Sequence, residues 1–155
     1  MITPVKKIMT QELIRIRKGS SLQDAYDLMQ KNNIRHLPVD DEFGQICGVI
    51  SLKDLSDLPR VDDIPVEFIM TSAIEFSSQD LPLKEAIHKM LRLKVSCLLL
   101  INDRHEATGI ITTDDLLAYL AALLLNEEEP THPVISALSL QTIGKVADSL
   151  ATIGI

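Results

Sequence analysis

The chain has 155 residues, enough for one compact domain or two small ones, and 46% of them are hydrophobic. Aromatics make up only 3% and Trp is absent, so the core has to be aliphatic, built from Leu, Ile, Val, Ala and Met. A net charge of −7 and a sequence pI near 5.0 argue against a role in coating nucleic acid or an anionic membrane.

Residues 4–55 recur at residues 65–116 with a constant offset of 61 and no gap, and 13 of the 52 aligned positions are identical. Such a duplication implies two copies of one supersecondary unit, related by a pseudo-twofold axis, with any site occurring twice. Each copy opens with Pro-Val and a short helical turn, Val5 to Met9 or Val66 to Met70, followed by Thr10 or Thr71. The next segments, Glu12 to Arg17 and Ala73 to Ser77, read as short strands. An amphipathic helix follows: Leu22, Ala25, Tyr26 and Met29 share one face in copy one, and Leu83, Ala86, Ile87 and Met90 do so in copy two. Ser21 and Asp24 have capping-box spacing, and Pro82 suits a first helical position.

Two apolar runs with a polar turn between them then predict a hairpin in each copy. They are His36 to Val39 with Ile46 to Ile50, and Cys97 to Ile101 with Ala107 to Ile111. A second helix starts at Leu52 or Thr113. The unit is thus strand, helix, strand, strand, helix, an α/β (α+β) architecture. The expected division is 4–59 for repeat one, 65–125 for repeat two and 126–155 for a C-terminal tail. The linker from Arg60 to Pro65 is short enough to keep the copies packed together. Units this small would share one core.

Cys47 and Cys97 lie in apolar runs outside any CxxC and read as buried free thiols in a reducing compartment. Met1 to Lys7 lacks the apolar stretch of a signal peptide, and the longest apolar run, Leu116 to Leu125, is too short to span a bilayer. The chain therefore reads as cytoplasmic. His36, His88, His105 and His132 lack metal-ligand spacing, and no metal site or catalytic constellation is expected.

One motif is duplicated in register: Gly48, two apolar residues, Ser51, two variable residues and Asp54, matched by Gly109, Thr112 and Asp115. A strand ending in Ser or Thr, with Asp in the first helical turn, offers free N–H groups to an anion such as phosphate. The Asp carboxylate has two acceptor oxygens for a ribose diol. The same residues also make a plain capping box. Both readings stand on the residues alone.

The run Ile34-Arg35-His36-Leu37-Pro38-Val39 through Gly48-Val49-Ile50-Ser51-Leu52-Lys53-Asp54-Leu55 resembles the core of a CBS domain, and Ile8-Met9-Thr10 with Ile69-Met70-Thr71 resembles that family's lead-in sequence. The pair, from residue 4 to about 120, is similar to a Bateman module. The resemblance implies two clefts between the copies that bind adenosine-containing ligands: AMP, ADP, ATP or S-adenosylmethionine. On that resemblance Ser51 and Thr112 contact phosphate or ribose, and Asp54 and Asp115 hold the ribose. Thr10, Leu13, Thr71 and Ile74 line the adenine, and Arg35, His36 and Lys53 meet phosphates beside Pro38.

The copies diverge around this motif. Ser96-Cys97 replaces Arg35-His36, Leu99 replaces Pro38, and Asp114 replaces Lys53, an acid that opposes an anionic ligand. Copy one is the better nucleotide site; copy two is expected to be degenerate or to prefer a less charged adenosine compound. The apolar helix to Leu125 predicts burial on every side, either in a homodimer or under the tail. In the tail, Val134 to Leu138 reads as a strand, and Ile143, Val146, Ala147 and Leu150 as a helix. With the Leu-rich helix, this is similar to acetoin-utilisation-type CBS proteins. The expected function is a non-catalytic regulatory module that needs no cofactor. It binds an adenine nucleotide, acts on an unidentified regulated protein, and touches neither nucleic acid nor membrane. The alternative is a ligand-free dimerisation scaffold.

Overall fold

The computed structural model describes residues 3–56 and 63–125. The expectations for residues 126–155 and for residues 60–62 of the linker lie outside the described residues. Repeat one comprises β1 (Ile16–Arg17), α1 (Leu22–Asn32), β2 (His36–Asp40), β3 (Ile46–Ser51) and α2 (Leu52–Ser56). Repeat two comprises β4 (Phe76–Ser78), α3 (Leu83–Leu93), β5 (Cys97–Ile101), β6 (Ala107–Thr112) and α4 (Thr113–Leu124). A 3₁₀ turn leads into each, Val5–Lys7 and Val66–Phe68. The order is the predicted one, βαββα twice, and it forms two three-stranded sheets, β1-β2-β3 and β4-β5-β6.

The offset of 61 survives into three dimensions. It relates α1 to α3, both hairpins, and the bulges at Val39/Asp40 and Leu100/Ile101. It also relates the hairpin turns. Asp41 Oδ1 accepts from the Phe43 and Gln45 N–H groups (2.8 and 2.9 Å), and Asn102 Oδ1 accepts from those of Arg104 and Glu106 (2.9 and 3.0 Å). These side chains mimic a backbone turn, so Asp and Asn are interchangeable there. Each turn puts a residue in the left-handed region, Gly44 in the first and His105 in the second.

The predicted capping box starts α1: Asp24 N–H donates to Ser21 Oγ (3.0 Å) and Ser21 N–H to Asp24 Oδ2 (3.2 Å). In α3 the expectation is off by one residue. Pro82 is the extended N-cap, and Leu83 is the first helical residue. The buried stripes are also narrower than the periodicity predicts. Leu22, Ala25 and Met29 are buried in α1 and Ala86 and Met90 in α3, whereas Tyr26 is exposed and Ile87 half-buried. The i+4 position lies at the edge of the apolar face, where a long side chain reaches solvent.

The expected cover of α4, by a homodimer or by the tail, lies outside the described residues of one chain. Only Asp115 and Ala118 are buried, while Leu117 and Leu124 are 62% and 74% exposed and Leu120 and Leu123 are exposed as well.

Two compact units result, and their boundaries cut across the repeats. One is residues 12–76; the other joins the segment ending at Gln11 to the chain from Ser77 onward. Each lead-in turn is thereby stitched to the sheet and helix of the other repeat. Val5 N–H donates to Leu81 O (2.9 Å) and Leu83 N–H to Thr3 O (2.8 Å). In the other unit Val66 N–H donates to Ser20 O (2.9 Å) and Leu22 N–H to Ile64 O (2.8 Å).

The cores follow the same exchange. Val5, Ile8 and Met9 pack with Ala86, Met90, Leu98, Leu100 and Ile111. Val66 packs with Ile16, Leu22, Ala25, Met29, Leu37, Val39, Ile50 and Leu55. Each buried Val, Leu, Ile or Met side chain among these contributes roughly 1.5–3 kcal/mol. The expected single shared core is therefore two clusters, each completed by a borrowed turn.

Pro38 sits opposite Val49 in the β2–β3 ladder. Val49 directs both its N–H and its C=O to Thr71 (3.0 and 2.9 Å), so the N atom of Pro38 faces the β1 side. A proline there has no N–H to offer a longer first strand, and β1 pairs only through Ile16 and Arg17, short of the expected Glu12 to Arg17.

Candidate functional site

Ser51 and Asp54 meet at the junction of β3 and α2. Asp54 Oδ2 accepts from the Ser51 N–H (2.8 Å) and the Ser51 hydroxyl (2.7 Å), and the Asp54 N–H returns to Ser51 Oγ at 3.3 Å. The capping reading is therefore realised. It uses one carboxylate oxygen: among the described residues Oδ1 of Asp54 takes no hydrogen bond. Asp54 and Ser51 are half-buried.

The start of β2 lies beside this junction. His36 is the register partner of Ser51, and the Leu52 N–H donates to Arg35 O at 2.8 Å. Arg35 and Lys53 are exposed, and His36 is half-buried. Arg35, His36, Ser51, Lys53 and Asp54 thus share one end of the sheet. Thr71, exposed, bridges Val49 two residues before Ser51. Leu13 and Ile74 are half-buried, and Pro38 is fully buried within β2. All nine belong to the unit of residues 12–76.

Thr112 and Asp115 repeat the cap at the start of α4. Asp115 Oδ2 accepts from the Thr112 N–H (2.7 Å) and hydroxyl (2.8 Å), and the Asp115 N–H donates to Thr112 Oγ1 at 3.4 Å. Here the second oxygen is also taken, because the Thr10 hydroxyl donates to Asp115 Oδ1 at 3.4 Å. Asp115 is only 3% exposed. Burial pushes its pKa up, against the lowering effect of the bonds from Thr112 and Thr10, and Asp114 nearby raises it further. Thr10 is thus brought to the acid of repeat two, although it belongs to repeat one in the chain.

The motif glycines owe their place to packing. A Cβ on Gly109 would stand 2.6 Å from the backbone oxygen of Thr10 and 2.9 Å from Met9 Sδ. On Gly48 it would run into Met70 Sδ. Glycine lets the Met-Thr turn of one repeat lie against the sheet of the other, where Thr10 and Ile110 exchange backbone hydrogen bonds of 2.9 Å each. Sequence reasoning had Gly48 and Gly109 only as the first residues of the duplicated motif and missed this partner. The co-occurrence of Met-Thr and Gly in both copies is its trace in the sequence.

The CBS domain family profile matches residues 5–60 and again 61–122. The chain belongs to the CBS domain family. Its structure is similar to the CBS domain pair of protein MJ0100, solved in complex with 5′-methylthioadenosine and S-adenosyl-L-methionine. The TM-score is 0.72 and the identity 28%, covering 79% of this chain and 99% of that one. It is also similar to a protein assigned to acetoin utilization, AcuB from Vibrio cholerae. In that case the TM-score is 0.67 and the identity 26%, covering 81% of this chain and 95% of that one.

In sequence, the L-aspartate semialdehyde sulfurtransferase of Methanocaldococcus jannaschii is 30% identical over 115 residues, 74% of this chain. The chain spans 23% of that enzyme's length. The CBS pair shows no group of three His, Cys, Asp or Glu side chains placed to hold a metal among the described residues. No described helix is long and apolar enough to cross a membrane.

Proposed function

We propose that this CBS pair is a non-catalytic regulatory module that binds an adenosine-containing ligand (AMP, ADP, ATP or S-adenosylmethionine), foremost at the repeat-one site. The observation that carries this is the state of Asp54. Its capping bonds converge on Oδ2, among the described residues Oδ1 takes no hydrogen bond and is open to a ribose hydroxyl, and Asp54 is half-buried. Arg35 and Lys53 stand at the same end of the sheet to meet phosphate, with Ser51 and His36 between them, and Thr71 bridges nearby. Leu13 and Ile74 complete the adenine surface. Support also comes from the MJ0100 CBS pair, whose structure holds two adenosyl compounds. Regulation requires that the ligand bind two states of the module, or of its partner complex, with different affinity.

Calorimetric titration of the four ligands into wild type, Asp54→Ala and Asp115→Ala tests the reading. A lost hydrogen bond to a charged group costs about 1.5–3 kcal/mol, so Asp54→Ala should weaken binding roughly 10- to 100-fold. Asp115→Ala should leave the first equivalent intact. Equal losses from both variants would overturn the ranking of the sites.

A second reading is favoured by α4, whose exposed Leu117, Leu120, Leu123 and Leu124 suit a homodimer interface. Absence of heat with every ligand at millimolar concentration, together with a dimer in sedimentation that Leu120→Glu dissociates, would leave the scaffold reading in its place.

A further inference from the structure

The two caps are alike in sequence and spacing, yet among the described residues one acid has an unbonded oxygen and the other does not. Asp54 Oδ1 takes no bond among the described residues, whereas Asp115 Oδ1 accepts the Thr10 hydroxyl at 3.4 Å. Thr71, aligned with Thr10, is exposed and makes its bridge through backbone atoms to Val49. The difference is local to the Thr10 side chain, because the backbone exchange of Thr10 with Ile110 has the same form as that of Thr71 with Val49.

We infer that the Thr10 hydroxyl is an internal stand-in for a ligand hydroxyl, closing the repeat-two site from within by occupying the carboxylate oxygen that a diol would need. A ribose presents two hydroxyls to one carboxylate. With Oδ2 committed to both Thr112 donors and Oδ1 engaged by Thr10, Asp115 keeps one acceptor site on Oδ1, where a diol needs two. Burial of Asp115 adds to the closure, since a ligand must enter where the side chain is only 3% exposed. Thr10 is held in place by the lead-in turn, with Met9 packed in the core and the Thr10 N–H bonded to Ile110 O. The site therefore opens only when that segment shifts or its hydroxyl is removed. The module would respond to one equivalent of ligand per chain, and the lead-in segment of repeat one would be the element that admits a second.

This inference rests on the adenosine reading, and the experiment separates the two. In calorimetry with 5′-methylthioadenosine and with AMP, the full chain should bind one equivalent. Thr10→Ala should bind a second, at least tenfold tighter than any second event in wild type, and Thr10→Ser should behave as wild type. Two equivalents in wild type, or one in both wild type and Thr10→Ala, would overturn it. A ligand-free readout runs alongside: thermal unfolding of Thr10→Ala, Asp115→Asn and the double variant. The Thr10→Ala decrease in Tm should shrink by at least half in the Asp115→Asn background. Undiminished loss there would refute the Thr10–Asp115 contact even if no adenosine compound binds, in which case the adenosine reading fails as well.

Discussion

Adding one methyl group to either motif glycine tests the exchange of lead-in turns. Gly109→Ala places its Cβ 2.6 Å from Thr10 O, which accepts from the Ile110 N–H while the Thr10 N–H donates back to Ile110 O, so the turn has to move. Overpacking of this kind costs about 1–3 kcal/mol. Displacing the turn weakens two backbone hydrogen bonds worth about 1 kcal/mol each. Restricting the unfolded chain offsets roughly 0.4–1 kcal/mol of this, for a net destabilisation of about 2–4 kcal/mol. Gly48→Ala differs, because the three atoms nearest its Cβ all belong to the side chain of Met70. A thioether chain with three rotatable bonds swings aside, so this change should cost about 1 kcal/mol or less.

The contrast is decisive in double variants. In a Met70→Ala background Gly48→Ala should become neutral or stabilising, whereas in a Met9→Ala background Gly109→Ala should remain costly, because the carbonyl of Thr10 is still there. Urea unfolding followed by circular dichroism gives the four free energies from Cm and the slope. In thermal scans each kcal/mol corresponds to about 2–4 °C for a chain of this size. Equal rescue in both backgrounds, or a Gly48→Ala cost as large as that of Gly109→Ala, would refute the reasoning.

Two further expectations concern buried groups. Burial raises the pKa of Asp115 above its ordinary 3.8, so the folded chain holds that proton over a range where the unfolded chain has lost it. Its contribution to stability is fully present below the unfolded value and is lost as pH rises through the folded one. Urea midpoints measured from about pH 4 to about pH 7 should fall more steeply for wild type than for Asp115→Asn, and parallel curves would contradict this. Burial also pushes the Cys97 thiol up to about 11, so in the folded chain it stays protonated at neutral pH. Iodoacetamide at about pH 8 should label Cys97 far more slowly in the native chain than in urea, because the thiolate is the nucleophile. Mass spectrometry of the labelled peptides reads the ratio, and equal rates would overturn the burial argument.

Much of the site was legible before the fold was. The spacing of Ser51 to Asp54 and of Thr112 to Asp115 already contained the cap, since a hydroxyl and a carboxylate three residues apart at a helix start can hardly avoid meeting. The hairpins followed from apolar runs around Asp41 and Asn102, whose side chains organise the turn locally. The exposure of Tyr26 and of the α4 leucines was not legible. Periodicity marks a face as apolar without saying how wide a neighbour covers it.

Local chemistry by itself determined the repeat, the caps, the turns and the order βαββα, because each of these depends on residues within a few positions of one another. The tertiary structure alone decided which turn lies on which sheet. Ile8-Met9-Thr10 and Ile69-Met70-Thr71 are identical as sequences, and only long-range packing sends the first to Gly109 and the second to Gly48. That exchange puts a lead-in threonine beside the sheet in both units, and the Thr10 side chain then takes the second oxygen of Asp115, while among the described residues Oδ1 of Asp54 takes no hydrogen bond.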